Sequence, residues 1–494
     1  MTRSRLAAAA AKGLRPLSRT SPSGPCRQAI LLTAYTRAVA QSSPTTSTRA
    51  AASYALSGLR LYSSVTVTGP EKPTLEARKQ WREQLADFAK QDKTPLYDFH
   101  LAHGGKMVLF GGYHMPVEYA GFSLAQSHHF TREHASLFDV SHMVQHRFTG
   151  PEAAAFLERI TPSTVSDMPI NSSKLSALLW PGTGGIADDT MITRTGEQEY
   201  RLVSNAGTRE KVLAYLVEQT KELQNPEDGG DAFWWEVLQG LGLLAVQGPE
   251  SEGILQRVID PAEGLDLSKV YFGQTVFARL RARRGGEWVT LPGRAMISRG
   301  GYTGEDGFEV SFESPGEEAT LLATTMLETA GPEKLRLAGL GARDSLRLEA
   351  GMCLYGHELD DSTTPVEAGL SWLVPKERRT AGAGFHGAEV IASQLVAKSK
   401  GGAGVERRRV GLVVKVPARE GAELLTKEGE KVGVVTSGAP SPTLGKNIAM
   451  AYVRDGMHKA GTELDVVVRG KKRAATVTKM PFVPSKYYKP ATSA

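Results

Sequence analysis

From position 94 onward the chain mixes short runs in which apolar and polar side chains alternate with longer runs whose apolar side chains recur three and four positions apart. The first pattern predicts half-buried strands and the second amphipathic helices. Strands are expected at 106–110, 144–148, 175–179, 190–193 and 200–203. A helix is expected over 209–223, where Val212, Leu213, Leu216 and Val217 share a face, with further helices over 318–329 and 340–350. Gly331-Pro332 and Gly351 punctuate the ends of the last two, because glycine leaves the helical conformation at little cost and proline cannot continue it. Pro181-Gly182-Thr183-Gly184-Gly185, between two of the strands, is a hairpin signal. Strands and helices without regular βαβ alternation predict an α+β fold rather than a doubly wound sheet.

After Pro375 the texture changes. Residues 376–404 are polar and small, as a linker would be. Short β-branched runs then follow at 410–416, 430–436, 448–453, 463–468 and 474–479, separated by Gly, Pro and Asn. That spacing predicts a small antiparallel barrel or sandwich over 405–488. Ahead of the main body, 63–93 reads as an extension with one polar helix near 75–89, and compact structure is expected to start at Thr94-Pro95-Leu96-Tyr97. The body of the chain therefore spans 94–375, and no internal repeat is visible.

Charge changes the picture at the N-terminus. The formal net charge is +6, but residues 1–70 carry +9 (eight Arg, one Lys, no acid), which leaves −3 for the rest. A nucleic-acid role would want its basic residues on the folded body, so none is expected. Residues 1–62 are rich in Arg, Ser and Ala with recurring apolar-plus-basic segments, the composition of a mitochondrial transit peptide. Arg60-Leu61-Tyr62-Ser63 resembles a matrix-processing site, with cleavage expected after Tyr62. No apolar run approaches the ~18 residues of a membrane span. Of the two cysteines, Cys26 lies in the leader, so Cys353 is left without an intramolecular partner, as fits a reducing compartment.

Three glycine-rich stretches could carry chemistry. In Gly184-Gly185-Ile186-Ala187-Asp188-Asp189, adjacent acids at a strand start point to opposite faces, so one can face a pocket while the other faces solvent or caps the turn. A plain turn with two solvated acids fits as well. In Gly300-Gly301-Tyr302-Thr303-Gly304-Glu305-Asp306-Gly307-Phe308-Glu309, glycines admit a ligand close to the main chain, Tyr302 offers a flat face, and Glu309 could accept two bonds from an amidine-like group. A surface hairpin is the alternative. In Gly339-Leu340-Gly341-Ala342-Arg343-Asp344-Ser345-Leu346-Arg347, Arg343 and Arg347 share a helix face and could bind carboxylates, or stay solvated. No Gly-x-Gly-x-x-Gly follows a strand in a βαβ setting, and the chain has no phosphate-binding Gly-Lys-Ser/Thr loop and no nucleophile elbow. The histidines at 128, 129, 134, 142 and 146 lack the Cys or Glu spacing of a metal site, so no metal is expected.

Together these stretches resemble the glycine cleavage T-protein family. The resemblance runs in order through His103-Gly-Gly-Lys-Met107, Leu137-Phe-Asp-Val-Ser-His-Met143, Val203-Ser-Asn-Ala-Gly207, Leu244-Ala-Val-Gln-Gly-Pro249, the Gly301–Gly307 and Ala342–Gly351 segments, Thr364-Pro-Val-Glu367, Thr436-Ser-Gly-Ala-Pro-Ser-Pro442 and Lys479-Met-Pro-Phe-Val-Pro484. It implies three lobes of antiparallel sheets and helices around a central folate pocket, two of them in 94–375, with a β-barrel-like last domain. It implies transfer of the methylene of an aminomethyl group on lipoyl H-protein to tetrahydrofolate, with 5,10-methylenetetrahydrofolate, ammonia and dihydrolipoyl protein as products. The P- and L-proteins would be functional partners, and no metal, flavin, nicotinamide or membrane would be involved. By the same resemblance Asp189 is the essential carboxylate, Glu309 the pterin-recognising acid, Tyr302 and Met143 pocket walls, Asn205 an orienting group for folate polar atoms, and Arg343 and Tyr487 substrate-binding positions.

Two departures stand out: the Arg- and Gly-rich stretch 281–294 is longer than the family pattern, and Tyr113 stands where Trp is expected. Three rival readings fare worse. A folate-binding iron–sulfur maturation factor would carry Lys-Gly-Cys-Tyr-x-Gly-Gln-Glu, whereas this chain has Gly351-Met-Cys-Leu-Tyr-Gly356. A folate-dependent demethylating oxidase would need a flavin domain that residues 64–93 cannot hold. A pure H-protein-binding scaffold would not need Asp189 and Glu309.

Overall fold

Two six-stranded sheets, a closed six-stranded barrel and two small hairpins make up the β-structure of the computed structural model. It describes residues 60–62 and 93–490, apart from 222, 224–231 and 314–316. The leader, apart from Arg60–Tyr62, and the expected helix at 75–89 lie outside the described residues.

The N-terminal sheet runs in the order Arg60–Tyr62, Trp234–Leu238, Val144–Thr149, Glu199–Ser204, Ile186–Gly196 and Ser172–Leu179. All its pairings are antiparallel except the outermost, where Arg60–Tyr62 lies parallel to Glu236–Leu238. Alternation sets its two faces. Val144, Phe148, Ile192, Tyr200, Leu202, Trp235 and Val237 point to one side, where they pack against Phe156, Leu157 and Ile160 of the helix Ala153–Ile160 and Val212 and Leu216 of the helix Arg209–Thr220.

The central sheet runs Thr275–Ala278, Ala295–Arg299, Gly307–Glu313, Leu241–Gln247, Ala135–Asp139 and Leu335–Leu337. Leu244, Val246, Ile297, Phe308 and Val310 face the helices Ser251–Val258 and Glu317–Ala330.

The free faces of the two sheets meet. Gln145 of the first accepts from the Ser311 hydroxyl of the second at 2.6 Å. A chain of hydroxyls, Thr193 to Ser173 (2.7 Å), Ser173 to Thr275 (2.8 Å) and Thr275 to Ser298 (2.8 Å), crosses the same gap. The molecule thus has helix layers outside, sheets inside, and an interlayer of polar contacts and apolar residues between the sheets.

The barrel strands are Arg407–Val414, Lys446–Arg454, Lys431–Ser441, Glu423–Leu425, Glu463–Val468 and Lys471–Thr478 in barrel order. Ile448 and Met450 on its wall pack against Leu348 of the helix Leu340–Glu349, so the barrel fixes the helix that carries Arg343. The stretch 281–294 forms a second small hairpin, Arg281–Arg284 against Glu287–Thr290, lying on the helix Glu317–Ala330. The region 376–404 contains a helix, Ala388–Leu395.

Candidate active site

The first acidic site begins with a constraint on glycine. A Cβ at Gly185 would stand 1.9 Å from the Asp361 carbonyl oxygen, and Gly184 has φ +67°, so the turn into Ile186–Gly196 closes only with these residues. A register slip opposite Leu178 and Leu179 then drops Ala187 out of the ladder. Beyond the slip Asp188, Thr190 and Ile192 face the helix side, and Asp189, Met191 and Thr193 face the interlayer.

Asp188 is fully buried and accepts from the Asn205 backbone N–H at 2.8 Å and from Asn205 Nδ2 at 2.9 Å. The same Nδ2 reaches Asp189 Oδ1 at 2.8 Å. One amide therefore holds both carboxylates. Burial raises the proton affinity of each, and the charge of Asp189 raises that of Asp188 further, while the bonds from Asn205 oppose the rise.

One expectation changes here. Asp188 is neither at the surface nor capping its own turn; it ties down the end of the next strand. Asn205 donates its side-chain N–H groups to both aspartates.

Glu309 sits in the strand Gly307–Glu313, opposite Ala245 on one side and Ser298 on the other. Opposed residues share a face. Ala245 and Phe138 on that face belong to a cluster with Val140, Leu243, Ala338, Ala342 and Leu346, against which Met143 and Val203 pack. Glu309 therefore points into the interlayer beside the Met143 wall. Burial raises its proton affinity, and the nearby Arg343 cation works against the rise.

Arg343 lies in the first turn of Leu340–Glu349, with its guanidinium 4.8 Å from the Tyr302 ring centre. Its Nη1 is buried with no hydrogen-bond partner among the described residues. The Tyr302 hydroxyl donates to the Cys353 carbonyl. Burial pushes that phenol up, and both Asp189 and Arg343 are close enough to bias it, in opposite directions.

The interlayer thus joins an ionisable carboxylate, an aromatic face, and an acid and a guanidinium with unused capacity. This donor set fits a flat heterocycle with an amidine edge, as in a pterin: Glu309 can accept from adjacent N–H groups and Arg343 Nη1 can donate. Among the described residues no group of three or more His, Cys, Asp or Glu side chains is placed to hold a metal ion. His142, buried between Phe110 and Tyr113, is pushed down to about 4 by burial and stays neutral.

Tyr487 takes its contacts elsewhere. Its ring stacks on Phe272 at 4.1 Å, and it lines a cavity of about 530 Å³ with Arg299, Asp306 and Lys486 that Asp189, Glu309 and Arg343 do not line. The tail around it is nonetheless bonded to the Tyr302 loop, Lys486 N–H to the Gly304 carbonyl at 2.8 Å. Reading the sequence did not single out Asp188 as a structural partner of Asn205, nor the buried Arg132, which bonds to the Tyr302 loop through the Thr303 carbonyl. Only the adjacency of Asp188 to Asp189 carried a signal.

Comparison with known proteins agrees with this geometry. Residues 96–378 match the model of the GCVT N-terminal domain, and residues 407–484 match that of the glycine cleavage T-protein C-terminal barrel domain. The "Probable aminomethyltransferase, mitochondrial" of Schizosaccharomyces pombe is 45% identical over 80% of this chain and 94% of its own length. The Homo sapiens protein named "Aminomethyltransferase, mitochondrial" is 45% identical over 80% of this chain and 91% of its own. A crystal structure of glycine cleavage system aminomethyltransferase T from Bartonella henselae superposes with a TM-score of 0.68 at 36% identity, covering 81% of this chain and 99% of that one. The fold and both domains are therefore shared with proteins that match over nearly their whole length, and the chain belongs to the glycine cleavage T-protein family.

Proposed function

We propose that the chain is the aminomethyltransferase step of a glycine cleavage system. It takes the aminomethyl group carried on the lipoyl arm of H-protein and passes its methylene to tetrahydrofolate, giving 5,10-methylenetetrahydrofolate, ammonia and dihydrolipoyl H-protein, with the P- and L-proteins as functional partners. The observation that carries this reading is the convergence of Asp189 from one sheet and Glu309 from the other on one interlayer, with Tyr302 and Arg343 beside them.

Tetrahydrofolate supplies the two nitrogens that receive the methylene. Glu309 and Arg343 bind and orient its pterin edge, and Tyr302 and Met143 wall it in. Asp189, held in one direction by Asn205, accepts a proton from the attacking nitrogen and stabilises positive charge developing at the methylene. The raised proton affinity of the buried carboxyl suits it to give that proton up again to a leaving group. Tyr487 acts from the tail, as a substrate-binding residue at the margin.

Relatives named mitochondrial, and a leader with eight Arg and no acid, support import into the matrix with removal of residues 1–62. The remaining divisions are 63–93 as extension, 94–375 as the two-lobed core, 376–404 as linker and 405–488 as barrel domain.

The test is an assay with aminomethylated H-protein and tetrahydrofolate that follows methylenetetrahydrofolate and ammonia together. Equal, folate-dependent release of both is expected. Absence of folate-dependent product would overturn the reading.

A further inference from the structure

Arg132 is a buried residue near the end of the helix Leu124–Glu133. Its Nη1 donates to the Thr303 carbonyl and to Glu305 Oε1, both at 2.9 Å, and its Nη2 donates to Glu349 Oε2, also at 2.9 Å. Glu305 in turn pairs with Lys486 Nζ at 3.2 Å. These partners belong to three segments far apart in sequence, and each segment carries one of the proposed ligand residues. Thr303 follows Tyr302. Glu349 ends the helix whose first turn carries Arg343. Lys486 precedes Tyr487, whose phenol senses the charges of Arg132 and Glu305. Gly304, with φ +78°, sits against the end of the helix Leu340–Glu349; a Cβ there would stand 3.0 Å from the Ala350 Cβ.

We infer that Arg132 is a positioning residue that sets Tyr302, Arg343 and Tyr487 in register for folate. The guanidinium suits the task because its planar fork presents donors in fixed directions, so three acceptors on one cation are held at fixed mutual distances. Glu349 anchors the fork from below. It also accepts from Ser441 and Thr443 of the barrel, and these bonds with His128 hold its carboxyl down at about 2, so the anchor stays charged. The inference rests on the folate reading above for its functional half. Its mechanical half, that three segments move together, stands on the contacts alone.

The test compares wild type, Arg132→Met and Arg132→Lys by amide hydrogen exchange without ligand and by calorimetric titration with tetrahydrofolate. Arg132→Met is expected to speed exchange in 300–307, 340–351 and 485–489 together while the barrel strands and the N-terminal sheet keep wild-type rates. Its tetrahydrofolate Kd should rise by roughly tenfold or more, the scale of a lost buried charged bond, and Arg132→Lys should restore part of both. Loosening of one segment alone, or of the whole chain equally, would overturn the inference, as would an unchanged Kd. Should Arg132→Met not fold, Glu305→Gln weakens the charged ties of the Tyr302 loop to Arg132 and to Lys486 while leaving the tie to Glu349 intact. It should loosen 485–489 and leave 340–351 at wild-type rates, and the reverse pattern overturns the inference. A wild-type chain that binds no tetrahydrofolate would overturn the proposed function instead, leaving the exchange result to judge the clamp.

Discussion

Replacing Asp189 by Asn removes one charge and little volume, so its consequences follow from electrostatics. In the folded chain the carboxyls of Asp188 and Asp189 both bind protons more tightly than usual, chiefly because they are buried. A carboxyl whose proton affinity rises on folding makes the native state bind more protons than the unfolded one, so its ionisation destabilises the fold. That cost is absent below about pH 4, the ordinary carboxylate range, and grows as pH rises until the folded group ionises; each tenfold gain in proton affinity on folding is worth about 1.4 kcal/mol. Asp189→Asn abolishes this cost at position 189 and relieves Asp188 of its neighbour's charge. The variant should therefore melt higher than wild type at pH 7.5, with the gap closing as pH falls toward about 4.

Catalysis should move the other way. Loss of a positioned proton acceptor costs about 10²–10⁴-fold in rate, while tetrahydrofolate binding should weaken by no more than about tenfold, the worth of one ordinary hydrogen bond. Thermal melts across pH, calorimetric folate titration and turnover with aminomethylated H-protein read the three effects separately. Wild-type turnover would remove Asp189 from the mechanism. A lower melting temperature at pH 7.5, with a gap indifferent to pH, would show that no buried charge is carried at this position.

Glu309→Gln should raise the tetrahydrofolate Kd about ten- to hundredfold, as loss of a charged hydrogen bond implies, with kcat at saturating folate close to wild type; calorimetry showing an unchanged Kd would exclude Glu309 as the pterin acid. Asn205→Ala withdraws the Nδ2 donor that lowers the proton affinity of both aspartates, so the acid limb of the kcat–pH profile should move to higher pH by about one pH unit or more; a move to lower pH would contradict the assignment. Gly301→Ala places a Cβ 1.9 Å from Gln247 Oε1 in a buried contact, and the strain should lower stability by about 1–3 kcal/mol; chemical denaturation giving the wild-type midpoint would mean that Gln247 yields freely.

How much of this was legible in the sequence depended on where each residue finds its partner. The helices Arg209–Thr220, Glu317–Ala330 and Leu340–Glu349, and five of the six barrel strands, follow from local periodicity because each presents one apolar face. The strand Ala135–Asp139 escaped because all five residues are buried and nothing alternates. The short strand Glu423–Leu425 was too brief to show a period. The glycine-rich motifs stand out in the sequence because a tight turn constrains neighbours along the chain. Arg132 could not be found that way, since its acceptors lie 171, 173 and 217 residues away.

The interlayer exposes a deeper ambiguity. Thr193, Thr275 and Ser298 each stand beside one apolar residue, Ile192, Val276 and Ile297, as on a sheet with one face in water, yet with Ser173 they form a hydroxyl chain that crosses to a second sheet between Ser173 and Thr275. Period-two alternation reports that one face of a strand is polar, and says nothing about whether water or another polar face lies opposite. Two sheets that each look half-solvated can satisfy one another's hydroxyls. Asp189 and Glu309 lie on the two facing sheets and Arg343 on the helix Leu340–Glu349, so their proximity emerges only once the two sheets are brought face to face.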